Sequence, residues 1–351
     1  MAEQIKHVLG IDIAKETFAA RLVQRGESIA PVSEVKMFPN TTGGYQSCAT
    51  WTQQLGAEPA HTNVVLEATG VYWEACAVDL HHRGYEVSVV NPAQIKHFIR
   101  SVLQRGKSDS IDAELIARFG ALMKPRLWTP PPPFAEHLQL IVRQRDAYVG
   151  MLTQERNRLH ALRHRVNCPA SVMRMTEDHI QFLEQRVEEL ERSFKDTIKQ
   201  LPEWSQLFTL LTSITGIGQI TAAVLLTETQ AFESFHSARQ ITAYAGIAPA
   251  PYSSGTSVFH APRISKIGNA RLRHALYLAA LSASRFNPLM RPVYQRLVAK
   301  GKPSKVARVA IARKLLITAF AVVKSKCRFD PSYSHNNLIL PRFFGQLIKG
   351  D

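Results

Sequence analysis

Asp12 stands inside an otherwise apolar run, Val8-Leu9-Gly10-Ile11-Asp12-Ile13, and this one carboxylate restricts the fold more than any other residue. The run reads as a strand bound for a core. A charge there is costly unless a cation or strong hydrogen bonds offset it. The surrounding chain supplies a sheet for that strand. Residues 7–24 predict a strand, a tight polar turn and a returning strand, and Glu34 to Phe38 a short third. Asn40 or Thr41 caps an amphipathic helix running towards Leu55. Val64-Val65-Leu66 is another apolar strand ending in a carboxylate, Glu67, with Ala68-Thr69-Gly70 and a helix through His82 behind it. Glu86 to Val90 is a strand stopped by Asn91-Pro92, and helical patterning then resumes to about Leu122. Three strands in series, then alternating strand and helix, predict a mixed α/β sheet.

Asp109 and Asp112 lie three apart behind Lys107-Ser108, where a helix opens, and so share one helical face. Alone they read equally as carboxylates that cap the helix and complement its dipole. Asp12 alone could accept turn hydrogen bonds from the hairpin after it. Together, Asp12, Glu67, Asp109 and Asp112 form an oxygen-only set that selects Mg²⁺ or Mn²⁺ over zinc. A strand Asp, a strand-end Glu and a helical Asp-x-x-Asp match the way an RNase H-like nuclease holds two metals at a scissile phosphate. A competing start, the phosphate loop of actin- and sugar-kinase-like ATPases, needs a Gly-Thr-rich turn and a later Asp-x-Gly. Ala14-Lys15-Glu16 follows instead, and no Asp-x-Gly occurs.

Charge separates the two ends of the chain. Of 43 Lys and Arg, seventeen fall between Glu233 and Asp330, where there is no acid, leaving 26 basic against 28 acidic residues elsewhere. A solvated basic face normally intersperses Glu or Asp, so the acid-free stretch favours a phosphate backbone as partner. Four cysteines without a C-x-x-C pair exclude a zinc knuckle or disulfide framework and fit a reducing cytosol. No signal-peptide core opens the chain, and the apolar segment 307–323 is interrupted by Arg308, Arg313 and Lys314. The expectation is a cytoplasmic protein, nucleoid-associated when bound, with no membrane partner.

The run Pro130–Pro133 is a stiff spacer and the clearest boundary. Phe134 to Leu201 is helical, broken near Cys168-Pro169. Leu183, Val187, Leu190, Phe194, Ile198 and Leu201 form a seam of coiled-coil type, either between two copies or within a helical hairpin. The first helix carries Arg143, Arg145, Arg156, Arg158, Arg163 and Arg165 against Asp146 and Glu155, as a phosphate-tracking face or as mere solvation. Beyond Pro202 a helical domain extends to about Lys326. Within it, LLTSITGIGQITAAVLL resembles a helix-hairpin-helix element. Gly216 and Gly218 there either let backbone N–H groups approach a phosphate or make a tight turn in a packed pair. Tyr252-Ser253-Ser254-Gly255-Thr256-Ser257 is a hydroxyl cluster just before the basic residues Arg263, Lys266, Arg271 and Arg273. It reads as a nucleophilic serine beside phosphate contacts, or as an ordinary Ser-Gly loop; His260 is near, but no His/Asp relay is apparent. The expected domains are 1–128 (metal-binding sheet), 129–204 (spacer and coiled-coil helices), 205–330 (basic C-terminal domain) and 331–351 (tail).

GIDIAK with Asp12, LEATG with Glu67, KSDSIDA with Asp109 and Asp112, SITGIGQITAAVLL, AYAGIAPAPYSSGTSV and RISKIGNARLRHALY together resemble the DEDD-type insertion-sequence transposases. These are bridge-RNA-guided serine recombinases, with pilin-gene invertases among their relatives. The resemblance spans nearly the whole chain. It implies an α/β RNase H-like (RuvC-like) N-terminal domain, a helical coiled-coil linker and a mainly α C-terminal transposase domain. Matching within PYSSGTS, it puts the nucleophile on Ser254, with Ser253 one residue away, and it implies a phosphoserine link to DNA. The four carboxylates would hold a Mg²⁺ pair, for which Mn²⁺ can substitute. Implied partners are donor and target DNA, a structured guide RNA and further copies of the chain, as dimer or tetramer. Other readings are a junction-resolving metal-dependent endonuclease that uses water, a DNA invertase, and a non-catalytic binding protein with a vestigial site.

Overall fold

Strand β1 (His7–Ile13) lies at the centre of the N-terminal sheet. A computed structural model describes residues 5–26, 29–102, 109–254 and 258–332, without the side chains of 109–111 and 250–262. The chain divides into two compact units that meet in sequence at Pro130–Pro131.

In the first unit, β2 (Thr17–Gln24) returns antiparallel to β1 and carries β3 (Ala30–Pro31) and β4 (Lys36–Pro39) on its far edge. After α1 (Thr42–Gln54), β5 (Thr62–Glu67) joins β1 in parallel. After α2 (Trp73–His82), β6 (Glu86–Val90) joins β5 in parallel, and α3 (Pro92–Ser101) and α4 (Asp109–Met123) complete the unit. The sheet order β3-β2-β1-β5-β6, three antiparallel strands then parallel ones with helical crossovers, fits an RNase H-like fold. Local chemistry sets the ends: the Thr41 hydroxyl accepts from Gly44 N to start α1, and Asn91 accepts from Ala93 N ahead of Pro92 to start α3.

Alternation along β1 divides the core into two layers. Leu9, Ile11 and Ile13 pack with Tyr45, Cys48, Cys76 and Leu80 of α1 and α2. Val8 packs on the opposite side with Val65, Ile116, Ala117 and Phe119, under α3 and α4. Asp12 is an even-numbered neighbour of Val8 and Gly10, so it belongs to the α4 side.

The second unit is mainly helical. Helices α5 (Pro133–Arg163) and α6 (Ala170–Lys199) form an antiparallel hairpin, bridged by Arg145–Glu191, Arg156–Glu184 and Arg163–Glu177 at 3.0, 2.6 and 2.8 Å. Leu183, Phe194 and Ile198 of the apolar seam are buried within this one chain. Beyond it lie α7 (Pro202–Thr212), α8 (Gln219–Thr229), α9 (Ala238–Tyr244), α10 (Ala270–Phe286), α11 (Met290–Ala299) and α12 (Ser304–Ser325). Every residue of α8 from Ala222 to Thr229 is buried, making it the central helix. Thr227 and Thr229 satisfy their hydroxyls on carbonyls four residues back. Gln230, Ala231 and Phe232 then reverse the chain with three successive left-handed φ angles of 48, 54 and 62°. Such backbone costs about 1–2 kcal/mol per residue, and the full burial of Phe232 against Phe320 opposes that cost.

One element was not foreseen. Strands β7 (Pro249–Ser254) and β8 (Val258–Ile264) form a hairpin where the sequence predicts a Ser-Gly loop inside a helical domain. Pro249 and Pro251 bar a helix there, and Val258, Phe259 and Ile264 suit a strand. Among the described helices and strands, the chief backbone neighbour of each of these strands is the other.

Candidate active site

The α4 side of the sheet gathers the N-terminal carboxylates at one end. The parallel register sets Gly10 beside Val65 and Ile11 beside Leu66, so Asp12 comes next to Glu67 on the neighbouring strand. Glu67 is paired with Val90, and both Val65 and Val90 belong to the core under α4, so Glu67 faces the same way as Asp12. Parallel strands lie about 4.8 Å apart, which makes the two acids cross-strand neighbours. Both are half-buried, and Glu67 Oε1 accepts the Thr69 hydroxyl at 2.7 Å.

Glycine sets where α4 lies. A Cβ on Gly10 would stand 2.4 Å from Ala113 O and 2.3 Å from Ala117 N, and one on Gly120 would stand 2.7 Å from Val8 Cγ1. Rising numbers on α4 therefore accompany falling numbers on β1. The first turn of α4, with Asp109 and Asp112, extends past Gly10 towards the Asp12 end. Arg21 reinforces this placement: paired with Gly10 on β2 and 11% exposed, it reaches Glu34 at 3.1 Å and Glu114 of α4 at 3.9 Å.

Carboxylate oxygens alone, at a sheet end with a helix start above it, suit a hard divalent cation. Among the described residues no three His, Cys, Asp or Glu side chains are close enough to hold an ion, and the Asp109 side chain lies outside that set. The fit therefore rests on register and donor chemistry. Burial pushes the Cys48 thiol up to about 12 and the Cys76 thiol well above its usual range, so neither is a thiolate.

In the second unit the proposed serine ends β7: Ser253 pairs with Phe259 and Ser254 with Val258, at the tip of the hairpin. The Ser253, Ser254 and His260 side chains lie outside the described residues. Arg263, at the base of β8, and Lys266 are exposed. Arg271 reaches Asp146 at 3.4 Å, whereas Arg273 is half-buried and donates to Ala245 O at 3.0 Å. Gly216 has a packing reason to be glycine. At φ 103° its Cβ would meet Ala283 of α10 at 2.6 Å, and Asn287 donates to the adjacent Thr215 O at 2.7 Å. Gly218, the N-cap of α8, is exposed with nothing near its Cβ position. Glu228, which sequence reasoning passed over, is the buried acid among the described residues of this unit. Its position one residue before the end of an apolar helix was the only available signal.

Comparison with known proteins places both units. A DEDD transposase model of IS110 type matches residues 9–166, and the model described as "Transposase IS116/IS110/IS902 family" matches residues 208–295. The chain is 33% identical over 330 residues to the pilin gene-inverting protein of Moraxella bovis, covering 93% of this chain and 98% of that protein. It is 25% identical to the transposase for insertion sequence element IS1328 of Yersinia enterocolitica, over 65% of this chain and 76% of that one. Thermus thermophilus RuvC aligns with 35% of this chain and 99% of its own at 15% identity and a TM-score of 0.25; the strand order, not this alignment, carries the fold assignment. No helix among the described residues is long and apolar enough to cross a membrane. A matched carboxylate domain, a matched C-terminal domain and a relative aligned over almost its whole length put this chain in the IS110 family of DEDD transposases, enzymes that recombine DNA.

Proposed function

We propose that the chain cuts and rejoins DNA strands through a covalent phosphoserine on Ser254, with Asp12, Glu67, Asp109 and Asp112 holding divalent cations beside the reacting phosphate. The observation that carries this reading is the shared placement of Asp12, Glu67 and the first turn of α4 at one end of one sheet face. When bound, a Mg²⁺ pair, or Mn²⁺ in its place, would offset charge on the phosphate oxygens as the bond exchanges. The Ser254 oxygen would attack phosphorus and lose its proton to a neighbouring base, and the bond from phosphorus to one sugar oxygen would break, freeing a hydroxyl. Attack by a hydroxyl from another strand on the phosphoserine then restores a phosphodiester and returns the serine, so no outside energy source is needed.

Arg263, Lys266, Arg271 and Arg273 lie where the hairpin joins the helices and would hold the strand, with the exposed turn at Gly218 as a further backbone contact. Arg273 would act partly through Ala245, and Gly216 through α10. A structured RNA pairing with donor and target DNA, a dimer or tetramer that shares the α5–α6 seam, and a site assembled from two protomers complete the proposal. Likeness to a pilin gene-inverting protein over 98% of its length supports inversion as one outcome beside insertion.

Denaturing electrophoresis of the protein with its own flanking DNA tests this. Parent protein is expected to leave a protein–DNA adduct mapping to Ser254, and Ser254→Ala none. Asp12→Asn, or removal of Mg²⁺ with EDTA, should abolish the adduct while the chain stays folded. Cleaved DNA carrying free ends and no protein would favour the water-using endonuclease.

A further inference from the structure

Glu228 is 3% exposed, near the C-terminus of α8. Helix physics disfavours it there, because the dipole already places negative charge at that end. Three donors hold the carboxylate instead. Arg143 of α5 meets it with two prongs, Nε to Oε1 at 3.0 Å and Nη2 to Oε2 at 3.2 Å, and Asn269 Nδ2 donates to Oε2 at 2.7 Å. The Tyr244 hydroxyl donates to the Glu228 backbone carbonyl at 3.0 Å, and the Asn269 Oδ1 accepts from Leu272 N at 2.9 Å to start α10. One buried acid thus ties α5 and α8 to the point where α9 ends and α10 begins.

That point is the foot of the β7–β8 hairpin. Its two stalks, 244–248 and 265–269, are laced by Ser265 N to Ala248 O at 3.3 Å, Lys266 N to Gly246 O at 3.2 Å and Asn269 N to Tyr244 O at 2.7 Å. They lie so close that a Cβ on Gly268 would stand 2.2 Å from Tyr244 O. The foot is clamped, and above it the chief backbone neighbour of each strand, among the described helices and strands, is the other. The direction in which the tip is presented is therefore set at the foot.

We propose that Glu228 is a positioning residue: its carboxylate, through Asn269, and its backbone carbonyl, through Tyr244, fix the hairpin foot against α5 and α8, and so fix where the tip presents its serine. The link to catalysis rests on the Ser254 reading; the link to the foot does not.

Glu228→Gln keeps the volume but turns one oxygen into an NH₂ facing another donor. In full-length protein, amide hydrogen exchange at Ser265, Lys266 and Asn269 should quicken about tenfold or more, with α7 and α12 unchanged. Adduct formation on the flanking DNA should slow on the order of 100-fold, while affinity for a fluorescein-labelled duplex of mixed sequence stays within about twofold. Glu228→Gln combined with Asn269→Asp exchanges carboxylate and amide, keeps a good helix cap, and should recover most of both losses. Unchanged exchange at the three stalk amides overturns the proposal whatever the chemistry at the tip. Exchange that quickens equally throughout the helical unit, with no recovery in the double variant, overturns it too by making Glu228 a general stabiliser. Quickened stalk exchange in Glu228→Gln, beside a parent that forms no adduct, leaves the positioning role standing and removes the Ser254 reading instead.

Discussion

The α5–α6 hairpin and the α10–α12 helices are both rich in cations but keep them in opposite company. On the hairpin, Arg143, Arg145, Arg156, Arg158 and Arg163 each meet a carboxylate at 3.5 Å or less. Beyond Arg263, among the described residues, only Arg271 is in an ion pair, with Asp146. Lys300, Lys302 and Lys305 are exposed at the turn from α11 to α12. Arg308 follows one helical turn later, stacked 5.9 Å from the Tyr294 ring with its Nε buried and unbonded. Formal charge cannot distinguish these regions; the neighbours do. A paired arginine fixes helix to helix, whereas an exposed lysine outside any ion pair is left to solvent or a polyanion.

Arg143→Ala should give the largest effect on the hairpin side. It leaves Glu228 buried with Asn269 as its main compensation; Arg143 itself is 43% exposed, so water replaces part of the contact and the cost should be about 1–3 kcal/mol. Urea unfolding measures this, and a loss below about 1 kcal/mol would mean that the pair does not hold the unit together. Next comes the C-terminal side. Replacing Lys300, Lys302 and Lys305 together by Gln should weaken binding to a mixed-sequence duplex about 30-fold at physiological salt. It should also reduce the slope of log K against log salt by about 2.7, near 0.9 per phosphate contact. That loss equals about 2 kcal/mol and should leave thermal unfolding in place. An unchanged slope would move the phosphate footprint off this turn.

The strands were legible because each signal was local. Alternation over 7–24, a carboxylate inside one apolar run and another ending a second, and Asn91-Pro92 as a stop needed no distant partner. The approach of Asp12 and Glu67 followed from parallel strands of matching polarity. The course of α4 was less open to reading: it depends on Gly10 and Gly120, which look unremarkable in sequence and matter only because another backbone lies against them. Gly216 shows the same limit, since the Ala283 that demands it is 67 positions away. The pairing of Arg143 with Glu228 spans 85 residues, beyond any periodicity argument. The hairpin arginines were weighed only against Asp146 and Glu155 on their own helix, while Glu177, Glu184 and Glu191 waited on the facing one. What failed to show was contact between elements.

Arg163→Gln is the smallest expected effect and tests the comparison most closely. The Arg163 and Glu177 side chains are 59% and 49% exposed, 2.8 Å apart beside the turn that joins α5 to α6. Water and salt screen such a pair, so its loss should cost no more than about 0.5 kcal/mol. If Arg163 serves only the facing helix, duplex affinity should stay within about twofold and the salt slope should not change. A slope lower by about 0.9 would show the arginine leaving Glu177 for a phosphate when DNA arrives. The partition would then depend on which acceptor is present, because an exposed carboxylate binds a guanidinium weakly enough for a phosphate to displace it.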